Sequence, residues 1–276
     1  MSSIVLNAHA VHRTFGSHKA LRNVSLQVRR GERVALLGAS GSGKSTLIRC
    51  LCGLETTDPA GGRIEAFGQL LQTNGRVGPD IRALRRRIGV IFQQFNLVGR
   101  LSVMHNVMTG LAAEAPLWRA LAGRYQLEDR ARAFDALSGI GLAPQAFQRA
   151  STLSGGQQQR AAIARVLVQG AELVLADEPV ASLDPQSTHR VMEHLSALNR
   201  DAGMTLVVSL HHVALAQRYC DRVVALRDGA LVFDGPSAAL TPTFLHSLYG
   251  TAAADLLHEP GADAPALDHP PRALAA

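Results

Sequence analysis

The sequence predicts an α/β fold built around a largely parallel β-sheet. Short apolar strands alternate with helical patterns along most of the chain, and the clearest strands read RVALL, LVLA and TLVVSL. Hydrophobic residues make up 47% of the 276 residues and charged residues only 18%, so the chain can bury a large core. Aromatic residues account for just 4%, and that core is therefore expected to be aliphatic.

The elements can be placed in chain order from local patterns. A buried strand is predicted over Arg33–Leu37, followed by a helix whose apolar face carries Leu47, Ile48 and Leu51 and which Gly53 can end. Residues 97–152 have helical periodicity and no clear strand, which indicates a helical insert. The later elements are a strand over Leu173–Ala176, a helix opening at Asp184 and Pro185 with Val191, Leu195 and Leu198 on its inner face, a strand over 205–210, and a hairpin that turns at Asp228 and Gly229.

Charge and composition exclude several classes of protein. Lys+Arg outnumber Asp+Glu by 28 to 22, and Lys19 and Lys44 are the only lysines, so arginine dominates. The balance favours polyanionic neighbours, and the cluster Arg82, Arg85, Arg86 and Arg87 is either a solvated helix face or a docking surface. No apolar run is long enough for a membrane span, and the N-terminus has no export pattern. Three cysteines without a CxxC pair argue against a disulfide scaffold or zinc ribbon, so a reducing cytosolic compartment is expected. The Ala- and Pro-rich tail 251–276 is expected to be disordered.

The segment GASGSGKS matches GxxxxGK[ST] between a predicted strand and a predicted helix, which is the context of a phosphate-binding loop. Glycines let backbone N–H groups turn toward phosphate oxygens, and the helix N-terminus adds positive potential. Lys44 is expected to reach the β- and γ-phosphates and Ser45 to bind Mg²⁺. The candidate nucleotide-binding residues of this loop are Gly38, Ala39, Ser40, Gly41, Ser42, Gly43, Lys44, Ser45 and Thr46.

Two further motifs carry candidate chemistry. The strand LVLA delivers Asp177 and Glu178 at its carboxyl end, where Asp177 can hold Mg²⁺ through water and Glu178 can polarise an attacking water. The segment LSGGQ opens another helix with Ser154 as its N-cap, which is a second anion-binding helix terminus. Because one nucleotide cannot easily use both sites in one chain, the sequence suggests a composite site across a dimer.

LSGGQ after a phosphate loop, then LVLADEP and SLDP, resembles the ATP-binding subunit of ABC transporters over residues 4–250. The resemblance implies a P-loop NTPase with a mostly parallel sheet core, an antiparallel β subdomain and a helical insert at about 97–152. It implies a head-to-tail homodimer in which each ATP lies between the phosphate loop of one copy and the LSGGQ segment of the other. That segment contributes Ser154, Gly155, Gly156 and Gln157.

The resemblance also assigns the remaining site residues. Phe15 stands at the place of the aromatic that stacks on adenine, and Gln93 at that of the glutamine that touches Mg²⁺ or the attacking water and couples to the membrane subunit. Asp184 resembles the residue that contacts the opposite subunit. His211 resembles the histidine that contacts the γ-phosphate, although His212 is adjacent. The implied catalytic set is Glu178, His211 and Gln93, and the implied Mg²⁺ set is Ser45, Gln93 and Asp177.

Further stretches, including IFQQFNLV, PLWR at 116–119 and SLHHVALAQRYCDRVVALRDG, most resemble phosphonate importer ATPases. That likeness implies transmembrane permease subunits, an indirect link to a periplasmic solute-binding protein, and a peripheral position on the cytoplasmic face of the bacterial inner membrane. Importers of phosphate-like anions, amino acids or methionine and a lipoprotein exporter remain alternatives, because an ATPase subunit does not touch the transported molecule.

Functions outside transport fit the sequence less well. A GTP switch protein normally carries NKxD, and neither lysine here follows an asparagine. A nucleotide kinase would not need LSGGQ. An ABC-type ATPase acting on nucleic acid fits the basic charge, but this sequence lacks the tandem cassettes, long coiled coils or zinc cysteines typical of such proteins, so no nucleic acid is expected as a partner.

Overall fold

The computed structural model describes residues 3–113 and 125–249. The stretch 116–119 and the tail 251–276 lie outside the described residues. Within the described ranges, none of the helices has both the length and the apolar composition that a membrane crossing requires.

Two β-sheets and the helices around them make up the described chain. In chain order the strands are β1 Ile4–Phe15, β2 His18–Arg29, β3 Arg33–Leu37, β4 Arg63–Ala66, β5 Gln69–Thr73, β6 Arg76–Val77, β7 Ile88–Ile91, β8 Leu173–Ala176, β9 Thr205–Ser209, β10 Arg222–Arg227 and β11 Ala230–Pro236. The α-helices are α1 Lys44–Leu51, α2 Ile81–Arg87, α3 Val103–Met108, α4 Leu127–Gly139, α5 Gly155–Gln169, α6 Pro185–Ala202, α7 Val213–Tyr219 and α8 Pro242–Tyr249.

The larger sheet has the order β11-β10-β3-β9-β8-β7, and its five strands from β10 to β7 are parallel. Only β11 runs antiparallel, because it is joined to β10 by the predicted two-residue turn, where Asp228 and Gly229 both have positive φ angles. The second sheet has the order β2-β1-β4-β5-β6 and is antiparallel throughout. The predicted α/β class with an antiparallel β subdomain is confirmed.

Alternate side chains of the parallel strands face two separate cores, as strand periodicity requires. Val34 and Leu36 of β3 face the antiparallel sheet and α1, whereas Ala35 and Leu37 face the helical side. Fully parallel strands are buried on both faces, which explains the continuous apolar runs seen in the sequence. Because β3, β8 and β9 are parallel, their carboxyl ends lie at the same edge of the sheet, and the motif residues follow them there.

The segment between β7 and α5 contains α3, α4 and short 3₁₀ turns. The described residues of this segment form no β-strand, and the isolated β-bridge among them joins Ser102 to Arg149. This agrees with the helical character predicted there, while the exact boundaries at 97 and 152 stay a prediction.

The arginines of the cluster on α2 have different environments. Arg87 forms an ion pair with Glu172, and its guanidinium lies 3.7 Å from the ring centroid of Phe67, so this residue holds the fold together. Arg82 and Arg86 are exposed and line a groove. The cluster is therefore not a uniformly solvated face.

Candidate functional site

The predicted phosphate loop joins β3 to α1, and all three of its glycines have positive φ angles. These are +148° at Gly38, +79° at Gly41 and +103° at Gly43. A Cβ at Gly38 would lie 2.3 Å from the carbonyl oxygen of Leu226, and a Cβ at Gly43 would lie 2.5 Å from that of Ala20. Because both distances are far below van der Waals contact, these two positions require glycine.

Lys44 begins α1 and is only 3% exposed. Its Nζ donates to the carbonyl oxygens of Gly38 at 2.8 Å and Ala39 at 3.2 Å, and lies 4.0 Å from Oε1 of Glu178. Burial lowers the pKa of Lys44, and the negative charges of Glu178 and Asp177 oppose this effect. A phosphate group would give this desolvated ammonium a stronger anionic partner than the loop carbonyls.

Hydroxyl groups of the phosphate loop and of β9 hold the acidic pair that follows β8. Ser45 Oγ donates to Oδ1 of Asp177 at 2.9 Å, and Asp177 is almost fully buried. Glu178 has a φ angle of +48°, which is rare for a residue with a side chain. Ser209, at the end of β9, contacts both acids: its Oγ donates to Asp177 Oδ1 at 3.0 Å and accepts the backbone N–H of Glu178 at 2.8 Å.

The two adjacent histidines have different environments. Nε2 of His211 lies 2.7 Å from Oε1 of Glu178. His212 is the N-cap residue of α7, and its Nδ1 is buried without a hydrogen-bond partner among the described residues. Burial, with a smaller contribution from the charge of His211, lowers the pKa of His212. The structure therefore places His211, rather than His212, against the acidic pair.

A cavity of about 430 Å³ opens over the phosphate loop. Phe15 lies at one end of it, 44% exposed at the tip of the β1–β2 hairpin, with the guanidinium of Arg13 4.6 Å from its ring centroid. Gln93 also lines the cavity and Gln94 does not, which supports the predicted register. The remaining lining residues are His18, Ala20, Ser40, Gly41, Ser42, Gly43, Lys44, Ser45, Thr46 and Glu178.

The polar atoms of this cavity fit a triphosphate with a divalent cation. Ser42 Oγ is buried and has no hydrogen-bond partner in the described part of the chain, so a phosphate oxygen would satisfy it. Ser45 and Asp177 present a hydroxyl and a carboxylate side by side, which is the oxygen donor set that Mg²⁺ prefers.

The LSGGQ segment lies elsewhere on the molecule. Ser154 is the N-cap of α5, as predicted, and the structure adds a capping box with Gln157. Gly155 is exposed, while Gly156 is half-buried. Ser154, Gly156 and Gln157 line a separate polar cavity together with Ser187 of α6. Neither glycine is deep inside the fold, so both can face a ligand that comes from outside the chain.

Asp184 is the N-cap residue of α6, as predicted, and accepts the backbone N–H of Ser187 at 2.9 Å. Its hydrogen bonds with Ser187 lower the pKa of the Asp184 carboxyl. Asp184 is exposed, and it lies outside the phosphate-loop cavity but next to the LSGGQ segment, because Ser187 lines that second cavity. The predicted site residues thus fall into two groups on one chain.

Sequence reasoning missed two residues that contact the phosphate-loop group. One is Ser209, and the other is Tyr249, whose hydroxyl accepts the backbone N–H of Gly38 at 2.9 Å. Burial raises the pKa of Tyr249 to about 12. Ser209 carried a weak signal, since it ends an apolar strand just before His211. Tyr249 carried none, because the contact joins residues 211 positions apart.

Comparisons with known proteins agree with this architecture. The family model described as ABC transporter matches residues 21–181. A phosphonates import ATP-binding protein of Cupriavidus metallidurans is 56% identical over 247 residues, covering 90% of this chain and 87% of the relative. Another protein of that description, from Stutzerimonas stutzeri, is 54% identical and covers 89% of each chain.

Solved structures give the same result. The dimeric structure of a bacterial ABC transporter cassette superposes with a TM-score of 0.73 at 33% identity, over 85% of this chain and all of that chain. A dimeric post-hydrolysis state of an ATP-binding cassette, bound to ADP and phosphate, has a TM-score of 0.71 at 32% identity, with the same coverage. The chain belongs to the ABC transporter family and has the fold of its ATP-binding cassettes.

Proposed function

We propose that the chain is the ATP-hydrolysing subunit of an importer that takes up phosphonates across the bacterial inner membrane. The observation that carries the enzymatic part is a chain of contacts around the phosphate loop. Lys44 Nζ and His211 Nε2 lie 4.0 and 2.7 Å from Oε1 of Glu178, and the neighbouring Asp177 accepts a hydrogen bond from Ser45. The transport part is supported by relatives above 50% identity that are phosphonates import ATP-binding proteins.

The residues divide the chemistry of hydrolysis among them. The loop N–H groups, Ser42 and Lys44 bind the phosphates, and Phe15 stacks on the adenine. Glu178 is the general base that withdraws a proton from the attacking water. His211, whose Nε2 lies 2.7 Å from the Glu178 carboxylate, orients the base, and its imidazole contacts the γ-phosphate. Gln93, which also lines the cavity, helps to position the water.

Mg²⁺ would be held by Ser45 and Asp177, with Gln93 as a further oxygen donor. When bound, the cation neutralises charge on the phosphate oxygens. The Asp177 carboxylate suits this role because one of its oxygens is fixed by the Ser45 hydroxyl.

The working unit is a head-to-tail dimer of two copies. The LSGGQ group, with Asp184 beside it, is exposed and separate from the phosphate-loop cavity of its own chain. It would therefore complete the site of the other copy, as an anion-binding helix N-terminus. The dimeric cassette of similar structure supports this arrangement.

Permease subunits would bind the groove beside Gln93. This groove has a volume of about 740 Å³, and its lining residues include the apolar Leu54 and Phe92 and the cations Arg82 and Arg165. Its chemistry fits an amphipathic permease segment that carries a carboxylate. Such binding would hold the subunit peripherally on the cytoplasmic face of the inner membrane.

The groove can be tested separately from catalysis. Arg82→Glu is expected to weaken co-purification with the co-expressed permease while leaving the ATP turnover of the isolated subunit unchanged. Arg130→Glu, on the exposed surface of α4, is a matched control that should do neither. Normal co-purification of the Arg82→Glu protein would contradict the assignment of the groove.

The dimer can be tested with Glu178→Gln, which removes the base but leaves phosphate binding intact. Light scattering is expected to detect a dimer of this variant with ATP and a monomer without it. A monomer at saturating ATP would count against the two-copy site.

The substrate requires a transport experiment. A bacterial strain without its own phosphonate uptake would receive this ATPase with its permease and solute-binding protein. We expect growth on a phosphonate as the phosphorus source, and no growth when Lys44→Ala replaces the wild type. Uptake of labelled phosphate or methionine, but not of a phosphonate, would transfer the assignment to one of the alternative importers.

A further inference from the structure

Ser209 links the two acids of the candidate site, although no motif includes it. It lies at the carboxyl end of β9, beyond residues 21–181, which the family model matches, and it is completely buried. Its hydroxyl makes two hydrogen bonds at once, donating to Asp177 at 3.0 Å and accepting from the Glu178 backbone at 2.8 Å. A single oxygen atom therefore contacts both adjacent acidic residues.

The bond to Glu178 stabilises an unfavourable backbone conformation. The φ angle of +48° at Glu178 is left-handed, and residues with a Cβ adopt it only where surrounding contacts hold them. The N–H of Glu178 points to Ser209 Oγ, while the preceding N–H of Asp177 donates to Ile91 at 2.7 Å. These two bonds fix the chain direction at the point where the side chain of the base leaves the backbone.

The bond to Asp177 fixes the carboxylate. Oδ1 accepts from Ser209 at 3.0 Å and from Ser45 at 2.9 Å, so two hydroxyls from different elements hold the same oxygen. With Oδ1 held, Oδ2 has a defined direction. The geometry couples the orientation of the acid expected to hold the cation to that of the neighbouring base.

We propose that Ser209 is a positioning residue that sets the geometry of Asp177 and Glu178 together. This rests on the proposed function, since it assigns Ser209 a part in hydrolysing ATP. Ser209 lines a small cavity with Glu178 and His211, but its hydroxyl is engaged by the protein rather than offered to a ligand. Its removal should therefore lower kcat and leave the KM for ATP unchanged, because the phosphate loop binds the nucleotide.

Three substitutions at position 209 separate the effect of the hydroxyl from the effect of side-chain size. Thr and Val have nearly the same volume at position 209, so any overpacking falls equally on both, and Ala cannot overpack. We expect Ser209→Val and Ser209→Ala to lower kcat by about 100-fold, the scale of a misplaced catalytic group, and to raise the Mg²⁺ concentration for half-maximal activity. Ser209→Thr should keep kcat at least about tenfold above that of Ser209→Val.

Hydrogen exchange provides a readout that does not depend on activity. In the nucleotide-free protein, NMR should show faster exchange of the Glu178 amide in Ser209→Ala than in the wild type and in Ser209→Thr. Ser196→Ala is a matched control, because Ser196 is another buried serine whose hydroxyl has no hydrogen-bond partner among the described residues. That control should change neither kcat nor the exchange of Glu178.

The outcomes separate this inference from the proposed function. If kcat falls equally in Thr, Val and Ala, or not at all in Ala, or if KM rises while kcat stays constant, Ser209 has no positioning role. If the wild type does not hydrolyse ATP, the proposed function fails instead, and the Glu178 exchange rates still report whether Ser209 holds that backbone.

Discussion

The two halves of the candidate site are built in opposite ways. The phosphate-loop half is interior, and Lys44, Asp177 and Ser209 are buried and hydrogen-bonded to one another or to the loop. The LSGGQ half is on the surface, where Ser154 and Gly155 are exposed and the described contacts of the segment are those of a capped helix.

This difference indicates what each half can do alone. A buried network is arranged before the ligand arrives, so the phosphate-loop half can bind nucleotide within one chain. An exposed helix N-terminus attracts anions weakly in water and gains strength only when another surface excludes the water. The LSGGQ half should therefore act only when a second copy covers it.

The largest expected effect is on the buried half. Lys44→Ala should lower ATP turnover by at least about 100-fold, because a desolvated ammonium beside the phosphates is lost. ATP binding, measured by equilibrium titration with a fluorescent analogue, should weaken as well. Lys19→Ala removes the only other lysine, which is exposed, and should leave both unchanged. Intact ATPase activity in Lys44→Ala would show that the site assignment is wrong.

The exposed half should behave differently. Gly155→Asp places a carboxylate where the other copy's triphosphate is expected, while its Cβ would meet Leu183 at an ordinary 3.4 Å. ATP binding by the single chain should persist, and turnover should fall by about 100-fold because the composite site cannot close. Gly139→Asp, in open space on α4, is the matched control and should remain active.

A mixture of two inactive variants provides the sharpest test of the comparison. In a head-to-tail dimer of Lys44→Ala with Gly155→Asp, one site carries both defects and the other carries none. About half of the dimers would be mixed, so turnover should recover to about a quarter of the wild-type rate if the sites act independently. No recovery, with mixed dimers demonstrated by affinity tags, would contradict a composite site that acts independently of the second site.

A smaller effect concerns stability at high pH. Burial raises the pKa of Tyr249 from its usual 10 to about 12, so folding favours the protonated phenol. That contribution is fully present below pH 10 and is lost as the pH rises through about 12. In Tyr249→Phe, which also loses the bond to Gly38, the free energy of unfolding should fall by about 1 kcal/mol at pH 9.

The pH dependence itself tests the assignment of Tyr249. Denaturant titrations at pH 9 and pH 11 should show the gap between wild type and Tyr249→Phe becoming smaller at the higher pH. A gap that stays constant over this range would mean that the Tyr249 hydroxyl is not in the buried environment described here.

The smallest expected effect concerns the cysteines, which should not react with a thiol reagent in the native protein. Cys50 and Cys220 are buried, and burial raises the pKa of each thiol to about 12. Cys52 is also buried, and burial raises the pKa of its thiol. An aromatic disulfide reagent at pH 8 should therefore modify no cysteine of the native protein and all three in denaturant, as followed by absorbance. Rapid modification of the native chain would show that the interior around the modified thiol is open to the reagent.

The features that could be predicted are those set by residues close together in the sequence. The strands RVALL and LVLA, the cap at Asp184 and the turn at Asp228 depend on local patterns, and each lies where it was expected. Strand β9 ends at Ser209, one residue before the predicted end. The register at His211 was also predictable, because it follows a buried strand.

Long-range contacts limited the rest. The residue patterns did not identify β1 and β2, since their half-exposed strands lack a continuous apolar run, and the antiparallel subdomain was expected only from the resemblance. The roles of Arg87 and Ser209 depend on partners at Glu172 and Asp177 in other elements. No pattern within a short window of sequence contains such pairs.

The contact between Tyr249 and Gly38 has a consequence for biosynthesis. The ribosome makes the phosphate loop early, but the hydrogen-bond partner of its first glycine is the last residue of α8. A nascent chain that already contains the complete loop motif still lacks this contact until residue 249 has emerged. Truncated translation products therefore carry the motif in their sequence without the finished loop in their structure.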